Sequence, residues 1–255
     1  MVPLRAAELR AETLRAYGEY IGAVHRSFEE DVRTGRALFE VADSTPVMRD
    51  GHVLVQAARG SGIVAIPGGL IHHWRGMMFI PGATLEEAIS VSQDYANYKH
   101  VYEPVLNAVV LEHDGDTFRV RMRVHKRSGP VSAVLDLWSV VRYDKTGSVV
   151  YSVSDSERIT EVTNASKPNE HSLPPGQDSG YLWRASTFSR LAEREAGVLV
   201  EIENIGLSRR FPPLLGWIIE PIAQRVGRSG VEDSLVEYRA AVIAHAAQGP
   251  ATINK

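Results

Sequence analysis

The sequence predicts an α+β fold in which one curled antiparallel sheet of about seven strands closes around a C-terminal helix. Residues 105–208 contain six strand-like segments with no helical interruption, and short turn sequences join most of them. One further strand-like segment and two short helical segments precede them in residues 69–104, and an apolar helical region follows at 212–246. Short turns exclude parallel crossovers, so we expect an antiparallel sheet that encloses a cavity against the last helix.

Residues 1–66 are predicted to form an N-terminal helical extension with short strands, ahead of a main domain at 67–248. Apolar residues in 6–40 recur mostly at three- or four-residue steps, which indicates a helix with one apolar stripe. Two short strand-like segments follow at 52–57 and 63–66. Because such a stripe usually packs on the chain's own core, we expect the helix to lie on the main domain. The alternative is an arm that binds a partner.

The start of the main domain has clear local signals. Its first strand is predicted at residues 70–80. Thr84 and Glu87 have the spacing of a capping box, which predicts the start of a short helix. A second short helix is predicted at 95–101, ahead of Pro104.

The strand predicted at 117–125 alternates between apolar and polar residues. Asp114-Gly115 before it is a strong hairpin signal. The apolar set is Phe118, Val120, Met122 and Val124, and the polar set is Thr117, Arg119, Arg121, Arg123 and His125. This alternation is typical of an antiparallel sheet with one buried face and one solvated face.

The C-terminal region is predicted to contain two helices. Pro221 kinks or ends the first, and Gly227 to Gly230 break the chain before the second. In the second helix the apolar residues recur at steps of four, three and four, and they are Val231, Leu235, Tyr238 and Val242. They form one face, which we expect the sheet to grip.

Composition excludes several classes of function. The net charge is -3 and the two signs are interspersed, so there is no basic surface to attract nucleic acid. Cysteine is absent, which removes disulfides, thiolate catalysis and cysteine metal sites. No apolar stretch is long enough to span a membrane. No signal peptide is evident, so a cytoplasmic location is the default expectation, and an exported one applies if a signal has been trimmed.

Motifs for metals, nucleotides and nucleophiles are also missing. His72 and His73 are adjacent on a predicted strand, so they point to opposite faces and do not form one metal site. No phosphate-binding glycine loop or nucleophile elbow occurs, and no cofactor is expected. Two carboxylate pairs share strand faces, and we interpret them as solvated residues rather than as a glycosidase-like site: Asp155 with Glu157, and Glu201 with Glu203.

Two segments resemble members of the START-like (SRPBCC, helix-grip) superfamily. Residues 211–219, Phe-Pro-Pro-Leu-Leu-Gly-Trp-Ile-Ile, are similar to the closing segment of lipid-binding START domains. Residues 180–184, Gly-Tyr-Leu-Trp-Arg, look like a strand of bacterial members. With the order of strands and helices, the resemblance covers about residues 69–246. The superfamily includes lipid-transfer domains, polyketide cyclases and coenzyme-Q-binding proteins.

The resemblance implies binding or transport of a hydrophobic small molecule such as a lipid, quinone or polyketide-like compound. The alternative is a cyclase- or aromatase-type enzyme that uses His72, Tyr181 or Arg184 as acid or base. A superfamily that hosts both carriers and enzymes does not decide between them. No metal, nucleotide or nucleic acid is expected as a partner, transient contact with a membrane is allowed, and the oligomeric state is left open.

The candidate ligand-binding residues are those that could line or orient the guest: His72, Trp74, Met78, Arg158, Tyr181, Trp183, Arg184, Trp217 and Tyr238. His72 shares a strand face with Trp74 and Met78. Trp183 and Arg184 are adjacent on a strand, so only one of them can point inward. One alternative places Trp183 inside with Arg184 in solvent. The other makes Arg184 or Arg158 the anchor of an anionic or polar ligand head.

Overall fold

The computed structural model describes residues 9–41, 47, 51–128, 131–173, 177–194, 196–210 and 213–248. Its helices are α1 (Ala11–Thr34), α2 (Leu85–Gln93), α3 (Tyr98–Val101) and α4 (Pro213–Gln248), with a 3-10 turn at Tyr95–Asn97. Its strands are β1 (Leu54–Ala57), β2 (Ile63–Ile66), β3 (Gly69–Pro81), β4 (Val105–Asp114), β5 (Thr117–Ser128), β6 (Val131–Thr146), β7 (Val149–Thr163), β8 (His171–Ser172), β9 (Arg184–Arg194) and β10 (Gly197–Arg209).

All ten strands found in the described residues belong to one antiparallel sheet. The main order is β1-β3-β10-β9-β7-β6-β5-β4, while β2 pairs with β3 and β8 pairs with β7. The seven long strands are those that the sequence predicts, from β3 to β10 without the short β8. The α+β fold with its antiparallel sheet and C-terminal helix is therefore confirmed.

Helix α2 starts as predicted. The Thr84 hydroxyl accepts the Glu87 backbone N–H at 3.2 Å, and the Glu87 carboxylate accepts the Thr84 N–H at 2.8 Å. This reciprocal pair satisfies donors that the first helical turn leaves free. Helices α2 and α3 both contact α4 and border the space beneath it.

Helix α4 grips the sheet with the predicted face. Val231, Leu235, Tyr238 and Val242 are all buried, in one cluster with β3 residues such as Met78 and Ile80. The contact is close because β3 carries glycine at position 76. A Cβ atom there would lie 2.6 Å from both Leu235 Cδ1 and Val231 Cγ1, so a larger residue would push the helix away.

The predicted break between two C-terminal helices is wrong. One continuous helix runs through Pro221 and from Gly227 to Gly230. Gly227 lies so close to the indole of Trp74 that an added Cβ would overlap with it. This glycine therefore permits a close contact between helix and strand instead of ending the helix.

Helix α1 covers the outer face of the sheet, opposite α4. Its buried Tyr17 and Phe28 pack in one cluster with Tyr151 of β7, Phe188 of β9 and Ile205 of β10. The central strands are thus covered on both faces, which is why β3 is almost continuously apolar from Met77 to Ile80. The solvated face that we predict for residues 117–125 concerns β5 only, whereas the apolar stripe of α1 lies against the core, as its spacing leads us to expect.

Candidate functional site

A cavity of about 490 Å³ lies between α4, the α2–α3 region and the inner face of the sheet. Its apolar wall follows from strand alternation, because every second residue of a strand faces the same side. Val120, Met122 and Val124 of β5 line it, as the alternating pattern of that strand predicts. Val231 and Leu235 of α4 close the opposite side.

A row of polar side chains crosses the centre of the sheet on the cavity side. Asn204 of β10 is in register with Thr187 of β9, which is in register with Ser154 of β7. In the adjacent row the hydroxyl oxygens of Ser189 and Ser152 are 2.5 Å apart. All five residues line the cavity. Since hydroxyl groups both donate and accept, this floor can hydrogen-bond a carbonyl or hydroxyl group of a guest.

Tyrosines from α4, α3 and β6 meet around the end of α2. The Tyr98 and Tyr143 hydroxyls donate to the Ser92 carbonyl oxygen at 2.6 and 3.0 Å, and the Tyr95 and Tyr143 hydroxyl oxygens are 2.9 Å apart. The Tyr238 hydroxyl lies 2.8 Å from Ser92 Oγ. Burial raises the pKa of Tyr143 to about 12. These phenols therefore stay neutral near pH 7 and shape the cavity wall.

His72, Trp74 and Tyr238 are the predicted site residues that line the cavity. His72 Nε2 is 2.8 Å from the hydroxyl oxygen of buried Ser208. Burial lowers the pKa of His72 to about 4, so this imidazole is neutral near pH 7. Trp74 is 8% exposed, and its indole N–H has no hydrogen-bond acceptor among the described residues.

The remaining predicted site residues of β3, β7 and β9 do not line the cavity in the described part of the chain. Met78 is fully buried in the cluster under α4. Arg158 is exposed on the outer face, where its guanidinium lies 3.7 Å from the ring centre of Trp138. Arg184 is on the outer side as well, and it donates to the Trp183 carbonyl oxygen at 2.7 Å.

Residues 181–183 sit just before β9. Tyr181 is partly buried against the cluster of β4, β5 and β6, and burial raises its pKa. Trp183 is buried in the α1-side cluster, and its indole N–H donates to Asp178 at 3.0 Å. Neither is among the described lining residues, although Leu182 between them is. Trp217 lies on α4, and its side chain lies outside the described part of the structure.

Sequence reasoning missed Lys126 and Tyr102, which both line the cavity. A signal for Lys126 was present, because it extends the even-numbered inner face of β5 that holds Val120, Met122 and Val124. A cation that continues an apolar strand face is unusual and indicates a mouth or a binding group. Tyr102 had no such signal, because its position depends on how α3 meets α4.

The carboxylates of β10 that we interpreted as solvated are buried beneath the N-terminal segment. Glu201 and Glu203 are 1% and 5% exposed, so this interpretation is wrong for them. Arg190 donates to Glu201 at 3.2 Å, and His73 and Arg75 donate to Glu203 at 2.5 and 2.9 Å. Burial alone would raise the pKa of Glu203, but these two donors hold it below its usual value. The reason for the error is the N-terminal segment: the Leu38 N–H donates to Glu201 at 3.2 Å, and the Tyr20 hydroxyl of α1 lies 2.7 Å from Nδ1 of His73, the partner of Glu203.

Asp155 and Glu157 lie in different environments: Glu157 is in solvent and Asp155 is partly buried. Glu157 is exposed and accepts from Arg119 at 2.8 Å, as a solvated residue does. Asp155 is partly buried, and it accepts from Ser186 at 2.7 Å and from His25 at 3.2 Å.

Across the described residues, no group of three or more His, Asp or Glu side chains is placed to hold a metal ion. In the same residues no helix is long and apolar enough to cross a membrane.

No protein-family model and no curated protein matches the sequence. A solved STAR-related lipid transfer protein from Xanthomonas axonopodis is 15% identical with a TM-score of 0.48, over 71% of this chain and 99% of that one. Human STARD10 is 11% identical with a TM-score of 0.48, over 82% and 83%. The Zhui aromatase/cyclase from Streptomyces sp. R1128 is 13% identical with a TM-score of 0.44, over 72% and 98%. The sheet order and the gripped C-terminal helix themselves give this chain a START-like, helix-grip fold.

Proposed function

We propose that the protein binds a hydrophobic small molecule, such as a lipid, quinone or polyketide-like compound, in the cavity beneath α4. The observation that carries this proposal is the cavity of about 490 Å³ with its largely aliphatic and aromatic lining. Ligand sites of small molecules measure about 300–1,000 Å³ and have such walls. An apolar guest would gain about 25 cal/mol for each Å² of its apolar surface that the cavity wall removes from water.

A carrier or sensor is favoured over a cyclase-type enzyme by the ionisation of the lining groups. His72 has a pKa of about 4 and Tyr143 one of about 12, so neither exchanges protons readily near pH 7. Of the other acid–base candidates, neither Tyr181 nor Arg184 is among the described lining residues. The polar floor, which consists of the hydroxyls of Ser152, Ser154, Thr187 and Ser189 and the amide of Asn204, supports orientation of a guest.

The test is a substitution that places a large side chain in the cavity, at Ser154 on its floor. The purified protein is titrated with the neutral dye N-phenylnaphthylamine, and Ser154→Phe is compared with the wild type. We expect Ser154→Phe to weaken dye binding about tenfold or more, because the ring occupies space that the guest needs. Native mass spectrometry of protein purified from its own host then identifies the class of guest by mass.

Ser90→Phe is the matched control, because Ser90 is exposed on α2 and the substitution is the same. It should bind the dye as the wild type does. Circular dichroism checks that both variants are folded. Dye binding that is absent in the wild type, or equal in a folded Ser154→Phe, would refute the proposal. The enzyme alternative would replace the carrier proposal if the protein turns over a cyclisable substrate and His72→Ala abolishes this turnover without abolishing binding.

A further inference from the structure

Lys126 is the only Lys, Arg, Asp or Glu among the described residues that line the cavity. It lies at the end of β5, and its side chain is partly exposed, so it sits where the cavity meets solvent. The imidazole of His72 is neutral near pH 7. The lining therefore carries one positive charge and no negative charge, apart from groups outside the described residues.

The Lys126 ammonium has no hydrogen bond or ion pair with any described residue. The acidic groups that face it are Glu237 and Asp233 of α4 and Glu103 before β4, and they act on it only at longer range. The Glu237 carboxylate accepts the Glu103 backbone N–H at 3.2 Å. Burial lowers the pKa of Lys126, and those acids offset this in part. An ammonium withdrawn from water without a close counter-ion is destabilising.

A second open donor lies at the same end of the cavity. The Tyr102 hydroxyl lines the cavity and has no hydrogen-bond partner among the described residues. The backbone holds the two residues in neighbouring segments, because the His125 N–H donates to the Pro104 carbonyl at 2.7 Å. Tyr102 and Lys126 both lie within electrostatic range of Glu237. An O–H and an ammonium at one mouth match the two oxygens of a carboxylate.

We propose that the guest is an amphipathic carboxylic acid, whose carboxylate binds Lys126 and Tyr102 while its apolar body fills the cavity. This inference rests on the proposed function, since it needs a guest inside the cavity. The acid group stays near solvent at the mouth, which limits its desolvation cost. The neutral polar floor of the cavity hydrogen-bonds oxygen substituents on that body where the guest has them.

Myristate, methyl myristate and myristyl alcohol test the proposal, because they share one chain and differ in the head group. Their affinities are measured by displacement of N-phenylnaphthylamine. We expect the wild type to bind the acid about tenfold or more tightly than the ester, since charge-assisted hydrogen bonds are the stronger ones. Lys126→Met should abolish this preference, because the acid should then bind only about as tightly as the ester does. Lys126→Arg should keep most of it.

Two further variants sharpen the test. Lys99→Met removes an exposed lysine from nearby α3 and should leave the acid preference intact. Glu237→Gln removes a repulsive carboxylate and should strengthen binding of the acid only. Equal affinities for acid and ester in the wild type, or a preference that survives in Lys126→Met, would overturn the inference. In that case dye binding still supports the proposed function, whereas the absence of any dye or chain binding defeats both.

Discussion

The two faces of the sheet differ in whether their buried charged groups have partners. On the outer face, beneath the N-terminal segment, charges are buried in contact with one another, as in Arg190 with Glu201 and His73 with Glu203. On the inner face, the described residues that line the cavity are neutral apart from Lys126. Breaking a buried ion pair leaves one charge uncompensated and is strongly destabilising. The ion pairs of the outer face therefore maintain the fold, whereas a polar group in the cavity that has no partner in the protein is available to bind a guest.

This difference separates structural from binding residues better than residue type does. Arg190 and Glu201 are less exposed than Lys126, yet each has its hydrogen-bond partner within the fold. Burial raises the pKa of Glu201 in spite of Arg190, so the pair adds little stability of its own. Lys126 and Tyr102 line the cavity without such partners in the described chain. Incomplete hydrogen bonding is thus the more useful sign of a binding group.

The largest effect is expected from removing one member of an outer pair. Arg190→Met should lower the free energy of unfolding by about 3–5 kcal/mol, because it leaves the Glu201 carboxylate buried and unpaired. Urea denaturation measures the change. Arg158→Met is the control, because this exposed arginine stacks on Trp138 and its loss should cost about 1 kcal/mol or less. A similarly small loss of unfolding free energy in both variants would contradict a structural role for the buried Arg190–Glu201 pair.

A smaller effect is expected from the inner-face histidine, and it depends on pH. The folded pKa of His72 is about 4, below its ordinary value of 6.5. The unfolded chain therefore takes up the proton first as pH falls, and this residue costs stability from pH 6.5 to 4, by about 3 kcal/mol in all. His72→Gln should remove that part of the acid sensitivity. Unfolding free energies at both ends of this window measure it.

If His72→Gln loses as much stability between pH 6.5 and 4 as the wild type does, then the imidazole is not held neutral by burial.

The smallest effect compares adjacent residues on opposite faces of β9. The Ser186 hydroxyl donates to Asp155 at 2.7 Å on the outer side, so Ser186→Ala should cost about 1–3 kcal/mol. Thr187 lines the cavity, and Thr187→Val should change stability by about 0.5 kcal/mol or less. Thermal denaturation of both variants gives the comparison. A larger loss from Thr187→Val would show that the inner hydroxyls also hold the fold together.

Local patterns in the sequence are enough to predict most of the helices and strands and the faces that they bury. Alternation placed Val120, Met122 and Val124 on the inner side of β5, and helical spacing placed Leu235 and Tyr238 on the gripped face of α4. These features depend on residues a few positions apart, where backbone geometry fixes direction. The same local rule set His72 and His73 on opposite faces.

Which polar groups find hydrogen-bond partners depends on contacts between segments that are distant in the chain. Glu201 and Glu203 have the spacing of solvated residues, and the N-terminal segment, which is far away in the chain, buries them. In the sequence, Gly227 indicates a helix break. In the structure, it lies within the helix and leaves room for the indole of Trp74. Lys126 becomes a cavity residue because α4 packs across the inner face of the sheet. Long-range packing sets burial and pairing, and local sequence patterns do not encode either of them.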